Sequence, residues 1–304
     1  MRQAKVEDAW RHIGDEGKYN SKLLSAEFCS LTGFLDEFKY ETTSAITSIC
    51  GKNGVGKTTL LKALYEALTV RNESHIERLG EYLVQFDVKK QEESFSGLYD
   101  SGLELEDVHY LDPTRDCSRI IEFLRTTTNT DELLEGLEAN RKFEQEKFKK
   151  EIQWIIGKQY KEILFYEIEG AMDDDYDYVF PIFYVESSDG VKYSNLDMGM
   201  GELASLYIVW FFEYVERQSI VFLEEPENFI SAYSQRNLMS YLASQSFGKK
   251  IWLTLSTHSE HILSMQSNEN IRVLSQNSSG ITKLIKPVHS EKYLSLLGAY
   301  SART

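Results

Sequence analysis

The sequence predicts an α/β fold built around a mostly parallel sheet, and two features carry this prediction. The first is a glycine-rich turn at residues 51–58, which lies between an apolar run at 45–50 and a helix with leucines along one face. The second is a pair of further apolar runs at 219–223 and 251–256. Continuous apolar runs of this length are typical of strands that are buried on both faces, as in a parallel sheet.

An antiparallel layer beside this sheet is predicted from the residues before the glycine-rich turn. Residues 22–28 and 38–40 alternate apolar and polar side chains, which is the pattern of half-buried strands. Further strands are predicted at 82–88 and 108–111. Near the end of the chain, residues 271–285 have the pattern of a hairpin with a glycine-containing turn.

A helical lobe is predicted between these parts. Apolar residues recur at helical spacing over residues 131–164, so the whole stretch is predicted to be helical. Lysines on its polar side favour a solvated face, and the alternative is a surface that docks DNA or a partner. The acidic run at 173–177 lacks regular ligand spacing, which favours a loop over a metal site. We expect one domain over residues 1–304 with a helical lobe at about 115–170.

Composition limits the class of protein. The chain has 304 residues, 42% hydrophobic residues and a net charge of −15, which suits a folded protein and opposes a general nucleic-acid coat. Three widely separated cysteines give no disulfide framework or zinc site. The start of the chain has no apolar signal core, and the longest apolar stretch, 206–212, is too short to span a bilayer. A cytoplasmic protein without membrane contact is expected.

The turn at residues 51–58 matches the pattern G-x-x-x-x-G-K-T of a phosphate-binding loop. Glycines let the backbone turn its N–H groups toward phosphate oxygens, and the helix that follows points its positive end at them. Lys57 is expected on the β- and γ-phosphates, and the Thr58 hydroxyl is expected to ligate Mg²⁺. The predicted nucleotide-binding residues of this loop are Gly51, Asn53, Gly54, Val55, Gly56, Lys57, Thr58 and Thr59.

Two carboxylates end the apolar run at 219–223, where ligands bind in parallel sheets. Glu224 is expected to hold Mg²⁺, and Glu225 is the predicted catalytic residue that orients the attacking water. After the next predicted strand, His258 is predicted to contact the γ-phosphate as a second catalytic residue. The alternative is that Thr257 and Glu260 form a capping box and that His258 occupies the first turn of a helix.

A second glycine-containing turn, residues 199–202, opens an apolar helix. Glycines before a helix N-terminus form an anion site, and one nucleotide does not need two such sites from the same subunit. We therefore assign Gly199, Gly201 and Glu202 to the nucleotide of a partner, so that a two-fold dimer encloses two ATP molecules. A side chain at Gly201 is expected to block closure and leave each subunit folded. Taken alone, this pattern is equally typical of a simple helix-capping turn.

The motifs and their order resemble those of ATP-binding-cassette ATPases. Asn53 before Gly54 is similar to the phosphate loop of that class, residues 199–202 resemble its signature motif, and residues 223–227 resemble its second Walker motif. The stretch 225–235 is similar to the SMC, RecF and OLD branch and unlike membrane transporters. The resemblance implies an ATP-binding-cassette phosphate-loop fold, ATP and Mg²⁺ as cofactors, and hydrolysis of ATP to ADP and phosphate.

Some positions follow the class and others depart from it. His258 matches its switch histidine. Gly199 stands where a serine is usual, and Glu224 stands where the shorter aspartate is usual. Gln85, in a predicted strand, is the candidate for the glutamine that senses Mg²⁺ in this class. Ser231-Ala232 replaces the usual His-Pro.

The spacing of the motifs resembles that of a stand-alone ATPase subunit. Residues 59–198 are too few for the long arm of an SMC protein, and residues 266–304 are too few for the nuclease domain of OLD proteins. The resemblance implies a homodimer or higher homo-oligomer that switches with ATP and gates a separate nuclease or toxin effector in bacterial anti-phage defence. The alternative is a RecF-like DNA-repair ATPase, with nucleic acid as a further ligand, although the net charge of −15 opposes it. A transporter subunit is a third alternative.

Overall fold

The computed structural model describes residues 3–28, 31–35, 37–69, 82–90, 93–98, 105, 107–127, 134–135, 137–138, 142–169 and 179–286. The chain divides into two compact units, which we name by the motifs they contain. The phosphate-loop unit comprises Arg2–Leu111, Glu216–Pro226 and Leu242–Thr304. The signature unit comprises Asp112–Val215 and Glu227–Tyr241. The predicted acidic run at 173–177 lies outside the described residues.

The strands and helices are numbered in chain order. The strands are β1 (Ser21–Phe28), β2 (Phe38–Glu41), β3 (Ile46–Cys50), β4 (Tyr82–Lys90), β5 (Glu93–Leu98), β6 (Val108–Leu111), β7 (Tyr160–Glu169), β8 (Val179–Ser187), β9 (Lys192–Ser194), β10 (Ile220–Glu224), β11 (Trp252–Thr257), β12 (Ile271–Gln276) and β13 (Thr282–Ile285). The helices are α1 (Gln3–His12), α2 (Lys57–Thr69), α3 (Pro113–Thr126), α4 (Lys142–Ile156), α5 (Met200–Tyr214), α6 (Ala232–Lys249) and α7 (Glu260–Leu263), with short 3₁₀ turns at Glu16–Lys18 and Asn268–Asn270.

A six-stranded sheet in the order β13-β12-β3-β11-β10-β6 forms the centre of the phosphate-loop unit. Its neighbours pair in parallel except at β13, which runs antiparallel to β12. Every residue of β3 and β11 is buried, because the sheet is covered on both faces. A four-stranded antiparallel sheet, β2-β1-β4-β5, accompanies it. The predicted α/β class, the parallel sheet, the antiparallel layer and the C-terminal hairpin are confirmed.

Helix α2 follows the glycine-rich turn and buries the face predicted from its leucines. Leu60, Leu61, Leu64 and Leu68 are fully buried. The helix packs against β6, β10 and β11. This packing fixes the first turn of α2 beside the carboxyl ends of the parallel strands, where the site described below lies.

The signature unit combines helices with a three-stranded antiparallel sheet, β7-β8-β9. Helix α5 packs against α3 and α4, and most of its residues are buried, in keeping with its apolar sequence. Asp112 caps α3 by accepting a hydrogen bond from the Arg115 N–H at 3.0 Å, with Pro113 at the first helical position. Helix α4 also packs against β7, and rings of α3 and α5 contact rings of β8 and β7, so these three helices share a core with the sheet.

The prediction of helix over residues 131–164 is wrong at residues 137–138, which are not helical, and at its end. Helix α4 stops at Ile156, Gly157 takes a left-handed φ of 81°, and β7 begins at Tyr160. The buried residues of β7 include Tyr160, Ile163 and Phe165, a spacing of three and then two. A register shift near Glu162 produces this spacing, which imitates a helix in the sequence. Within the described ranges, no helix has both the length and the hydropathy that a bilayer crossing needs.

Candidate functional site

The phosphate-loop pattern forms a tight turn between β3 and α2. Gly54 and Gly56 take left-handed φ angles of 78° and 95°, which side chains rarely adopt. The Lys57 side chain is almost fully buried and bends back over the turn. Its Nζ donates to the carbonyl oxygens of Gly51 at 3.2 Å and Lys52 at 3.4 Å. The turn therefore already holds a cation at the place where the sequence predicts phosphates.

The other predicted residues of this loop differ in exposure. Asn53 and Thr59 are exposed, whereas Val55 is buried. The Val55 carbonyl accepts a hydrogen bond from the Thr282 hydroxyl of β13 at 2.9 Å. The far hairpin of the chain thus fixes the turn from one side and leaves its exposed residues open to a ligand.

The first carboxylate, Glu224, ends β10 next to the start of α2. The Thr58 hydroxyl donates to its Oε1 and the Tyr110 hydroxyl donates to its Oε2. A hydroxyl and a carboxylate side by side are hard oxygen donors of the kind that Mg²⁺ takes beside substrate phosphates. The donor set therefore fits Mg²⁺ with a nucleotide, and the described residues contain no cluster of three acidic, His or Cys ligands that would bind a metal alone.

The second carboxylate, Glu225, leaves the strand in an unusual backbone conformation. Its φ is 38°. A positive φ raises the free energy of any residue that has a side chain, and residues in such conformations are common at functional sites. Its N–H donates to the Ser256 carbonyl at 3.1 Å and to the Ser256 hydroxyl at 3.2 Å, so β11 holds the turn in place. Its Oε1 lies 3.6 Å from Lys57 Nζ and 3.4 Å from His258 Nδ1.

His258 follows β11 and its side chain is 44% exposed. The capping alternative is wrong in its details, because α7 begins at Glu260 and its N-cap is Ser259. The Ser259 hydroxyl accepts from the N–H groups of His261 and Ile262 at 3.2 and 3.3 Å. His258 therefore precedes the helix and points its ring toward Glu225, which leaves its predicted catalytic role as a prediction.

A thiol also lies next to the site, at Cys50, where β3 ends. Burial raises the pKa of Cys50 to about 12, while the nearby Lys57 charge acts in the opposite direction. The thiol is therefore protonated at neutral pH and is a packing residue rather than a nucleophile.

Gln85 lies within β4 of the antiparallel sheet, paired in register with Ser25 and Leu98. This position belongs to a strand and not to a loop. Its assignment to Mg²⁺ stays a prediction.

Gly199, Gly201 and Glu202 belong to the signature unit. Gly199 is the N-cap of α5, with an ordinary extended φ of −67° and open space where a side chain would point. The Glu202 carboxylate accepts hydrogen bonds from Lys158 at 3.1 Å and from the hydroxyls of Tyr160 and Tyr193, both at 2.7 Å. Burial, followed by the contact with Glu202, raises the pKa of Tyr160, so this hydroxyl stays protonated as a donor.

The expectation that a side chain at Gly201 leaves the subunit folded is contradicted. A Cβ at Gly201 would lie 2.2 Å from the Phe229 carbonyl oxygen and 3.1 Å from the Ile230 side chain. Glycine is required here because two stretches of backbone approach closely within the same unit. At Gly199, by contrast, a Cβ would have no neighbour within 4 Å among the described residues, so a side chain can be added there.

Sequence reasoning missed Tyr110 and Ser256 as residues of this site. Tyr110 was part of a predicted strand, but the neighbour of that strand could not be known. The parallel register pairs Tyr110 with Phe222 and Ser256 with Glu224, and only this register brings them to the carboxylates. The only available signal was that Tyr110 and Ser256 are polar residues within predicted strands.

Comparisons with known proteins concern the family and the fold of the chain. A protein-family model described as "AAA domain, putative AbiEii toxin, Type IV TA system" matches residues 86–264. A search of curated proteins returned no match.

Two solved structures are similar in fold. The SMC head domain from Thermotoga maritima is 11% identical, with a TM-score of 0.51 over 88% of this chain and 100% of that one. The SMC head bound to the C-terminal winged-helix domain of ScpA is 12% identical, with a TM-score of 0.52 over 90% of this chain and 99% of that one. The predicted resemblance is confirmed at the level of the fold, which is similar to that of SMC head domains. Since the family model covers more than half of the sequence, the chain belongs to this AAA-domain family.

Proposed function

We propose that the protein is an ATP-hydrolysing molecular switch. The observation that carries the proposal is the convergence of a buried lysine, a hydroxyl, two carboxylates and an imidazole at the carboxyl ends of β3, β10 and β11. They are Lys57, Thr58, Glu224, Glu225 and His258. Convergent groups of these types, next to a phosphate-binding turn, are the parts that phosphoryl transfer to water requires.

The contacts suggest how ATP changes the site. Lys57 and Glu225 lie 3.6 Å apart, so each partly neutralises the other. Phosphate oxygens of ATP are stronger partners for Lys57, since they carry more charge and accept several hydrogen bonds. Nucleotide binding would then release the Glu225 carboxylate, which acts as the general base that orients water. His258, 3.4 Å from Glu225, would contact the γ-phosphate.

Thr58 and Glu224 would hold Mg²⁺ through oxygen, directly or through water. The ion would there neutralise negative charge of the bound nucleotide.

The switch requires a second copy of the chain. We assign Gly199, Gly201 and Glu202 to the nucleotide of that copy, because they stand at the N-terminus of α5, where backbone N–H groups and the helix dipole favour an anion. Closure of two subunits would then depend on two bound ATP molecules and be reversed by their hydrolysis.

A separate effector is the proposed output of the switch. An SMC head of similar fold was solved with a bound protein partner, which supports a chain that acts on another protein. The family description names a toxin–antitoxin system, which supports a role in defence. We therefore propose that closure gates a nuclease or toxin in bacterial anti-phage defence.

The test combines turnover with assembly. Glu225→Gln should keep ATP binding and lower hydrolysis about 100-fold or more, because the side chain keeps its shape and loses the base. Light scattering after size-exclusion chromatography with ATP should then show a dimer of this variant. Glu224→Gln should instead impair the binding of ATP that depends on Mg²⁺.

The matched control adds Gly199→Arg to the Glu225→Gln background. Because the space at Gly199 is open, the subunit should fold and bind ATP, and the dimer should be lost. A dimer that survives this change would refute the assignment of α5 to the partner nucleotide. Wild-type turnover in Glu225→Gln would refute the proposed catalytic role.

A further inference from the structure

We propose that Tyr110 is a positioning residue for the Mg²⁺ site, and that it compensates for a glutamate at the position of Glu224. The inference rests on the proposed function, since it concerns the same site. Tyr110 belongs to β6, the edge strand of the central sheet next to β10.

The sheet places the Tyr110 side chain on the same face as the Glu224 side chain. In the parallel pair of β6 and β10, Tyr110 lies opposite Phe222, so both side chains point to the same side. Glu224 is two residues beyond Phe222 and therefore points to that side as well. In the register of the two strands, Tyr110 lies two residues before the position opposite Glu224. The long tyrosine side chain brings its hydroxyl within hydrogen-bonding distance of the Glu224 carboxylate.

Helix α2 fixes the direction of the ring. The Tyr110 ring lies 5.6 Å from the ring of Tyr65, which also packs against Phe222 at 6.3 Å. Tyr65 is on α2, the helix whose first turn carries Thr58. The contacts with the Tyr65 ring thus orient the Tyr110 phenol toward Glu224, on the face of the sheet that α2 covers.

The two oxygens of Glu224 are then divided between two donors. Tyr110 donates to Oε2, and Thr58 donates to Oε1. Oε1 lies on the side of Thr58, the predicted Mg²⁺ ligand, and the Tyr110 hydroxyl holds Oε2 on the other side. Glutamate has one more rotatable bond than aspartate, and ordering that bond costs conformational entropy. A fixed hydroxyl on Oε2 removes this freedom before the ion binds.

Residues that orient a metal ligand through a hydrogen bond typically change metal affinity by about 10–100-fold when they are removed. Tyr110→Phe keeps the ring and its packing and deletes only the donor. The concentration of Mg²⁺ that half-saturates nucleotide binding should therefore rise about tenfold. Affinity for the nucleotide in EDTA should not change, because the deleted hydroxyl donates to the Glu224 carboxylate and leaves the Lys57 contacts in place.

The experiment measures binding rather than turnover. A fluorescent ATP analogue is titrated with Mg²⁺ in the full chain for wild type, Tyr110→Phe and Tyr65→Phe. The control, Tyr65→Phe, deletes a hydroxyl from the neighbouring ring and leaves the donor to Glu224 in place. Only Tyr110→Phe should shift the Mg²⁺ dependence, and the unfolding midpoint in EDTA should be similar in all three proteins.

A second variant separates positioning from a general structural effect. Glu224→Asp shortens the carboxylate and takes it away from the phenol, so adding Tyr110→Phe to it should produce no further shift in Mg²⁺ dependence. Equal shifts in the two backgrounds, or equal shifts in Tyr65→Phe and Tyr110→Phe, would overturn the inference. Nucleotide binding by wild type that needs no Mg²⁺ would instead refute the metal site of the proposed function itself.

Discussion

Two turns of this molecule have glycines followed by a helix, one at residues 51–58 and the other at residues 199–202. In the first, Gly54 and Gly56 take left-handed φ angles, and Gly54 has open space around it. In the second, Gly201 lies within a helix, and a Cβ there would meet the Phe229 carbonyl at 2.2 Å. At Gly54 glycine is needed for its backbone freedom, whereas at Gly201 it is needed for its small size.

The charged groups differ in the same way. Lys57 is buried inside its own turn and contacts the carbonyls of Gly51 and Lys52. Lys158 is 42% exposed and reaches the second turn from outside, through Glu202. The position of the Lys57 charge is therefore set within its own turn, which a sequence pattern can describe, although β13 also supports that turn. The second turn depends on residues that are distant in the chain, so its glycine pattern says less about its function.

The largest expected effect concerns the two lysines. Lys57→Ala should weaken ATP binding about 100-fold. The variant would lose two charge-assisted contacts between the ammonium group and the phosphates of ATP, each of about 1.5 kcal/mol. Lys158→Ala should leave binding at the subunit's own phosphate loop within about threefold, since its charge is exposed and paired. Nucleotide titration of the two monomeric variants measures both. Similar losses in both would show that the two turns act on one nucleotide within a subunit.

An intermediate effect concerns the two glycines. Gly201→Ala should lower the free energy of unfolding by about 2 kcal/mol through overpacking against backbone. Gly54→Ala should cost about 1–2 kcal/mol through its left-handed φ alone. Denaturant unfolding without nucleotide measures both changes.

Asparagine separates the two reasons. Gly54→Asn should be more stable than Gly54→Ala, because asparagine tolerates a left-handed φ. Gly201→Asn should be at least as unstable as Gly201→Ala. If Gly201→Asn were more stable than Gly201→Ala, glycine would be needed at position 201 for its backbone freedom and not for its small size.

The smallest effect is expected at the N-cap of α5. Gly199→Ser should change stability by only a few tenths of a kcal/mol, since serine is a good N-cap and nothing lies within 4 Å of the added carbon. It also supplies the serine that is usual in the signature motif. Thermal unfolding is the measurement, and a loss above about 1 kcal/mol would mean that the space is closed in solution.

The sequence by itself determined the phosphate-loop turn, the buried parallel strands and the two carboxylates at the end of β10. Each of these is encoded within a few neighbouring residues: the glycine and lysine spacing at 51–58, the continuous apolar runs, and Glu224 with Glu225 at a strand end. Local patterns of this kind reflect backbone geometry and burial, which act over the length of one turn or strand.

Tertiary structure alone decided what surrounds these groups. The register of β6 against β10 brings Tyr110 to Glu224, and the pairing of β10 with β11 brings Ser256 to Glu225. The helix predicted over 131–164 ended at Gly157, and Gly201 proved to face the Phe229 carbonyl. Each of these outcomes depends on which segments become neighbours. Contacts between segments far apart in the chain arise from the packing of whole strands and helices, and this is why no local pattern contains them.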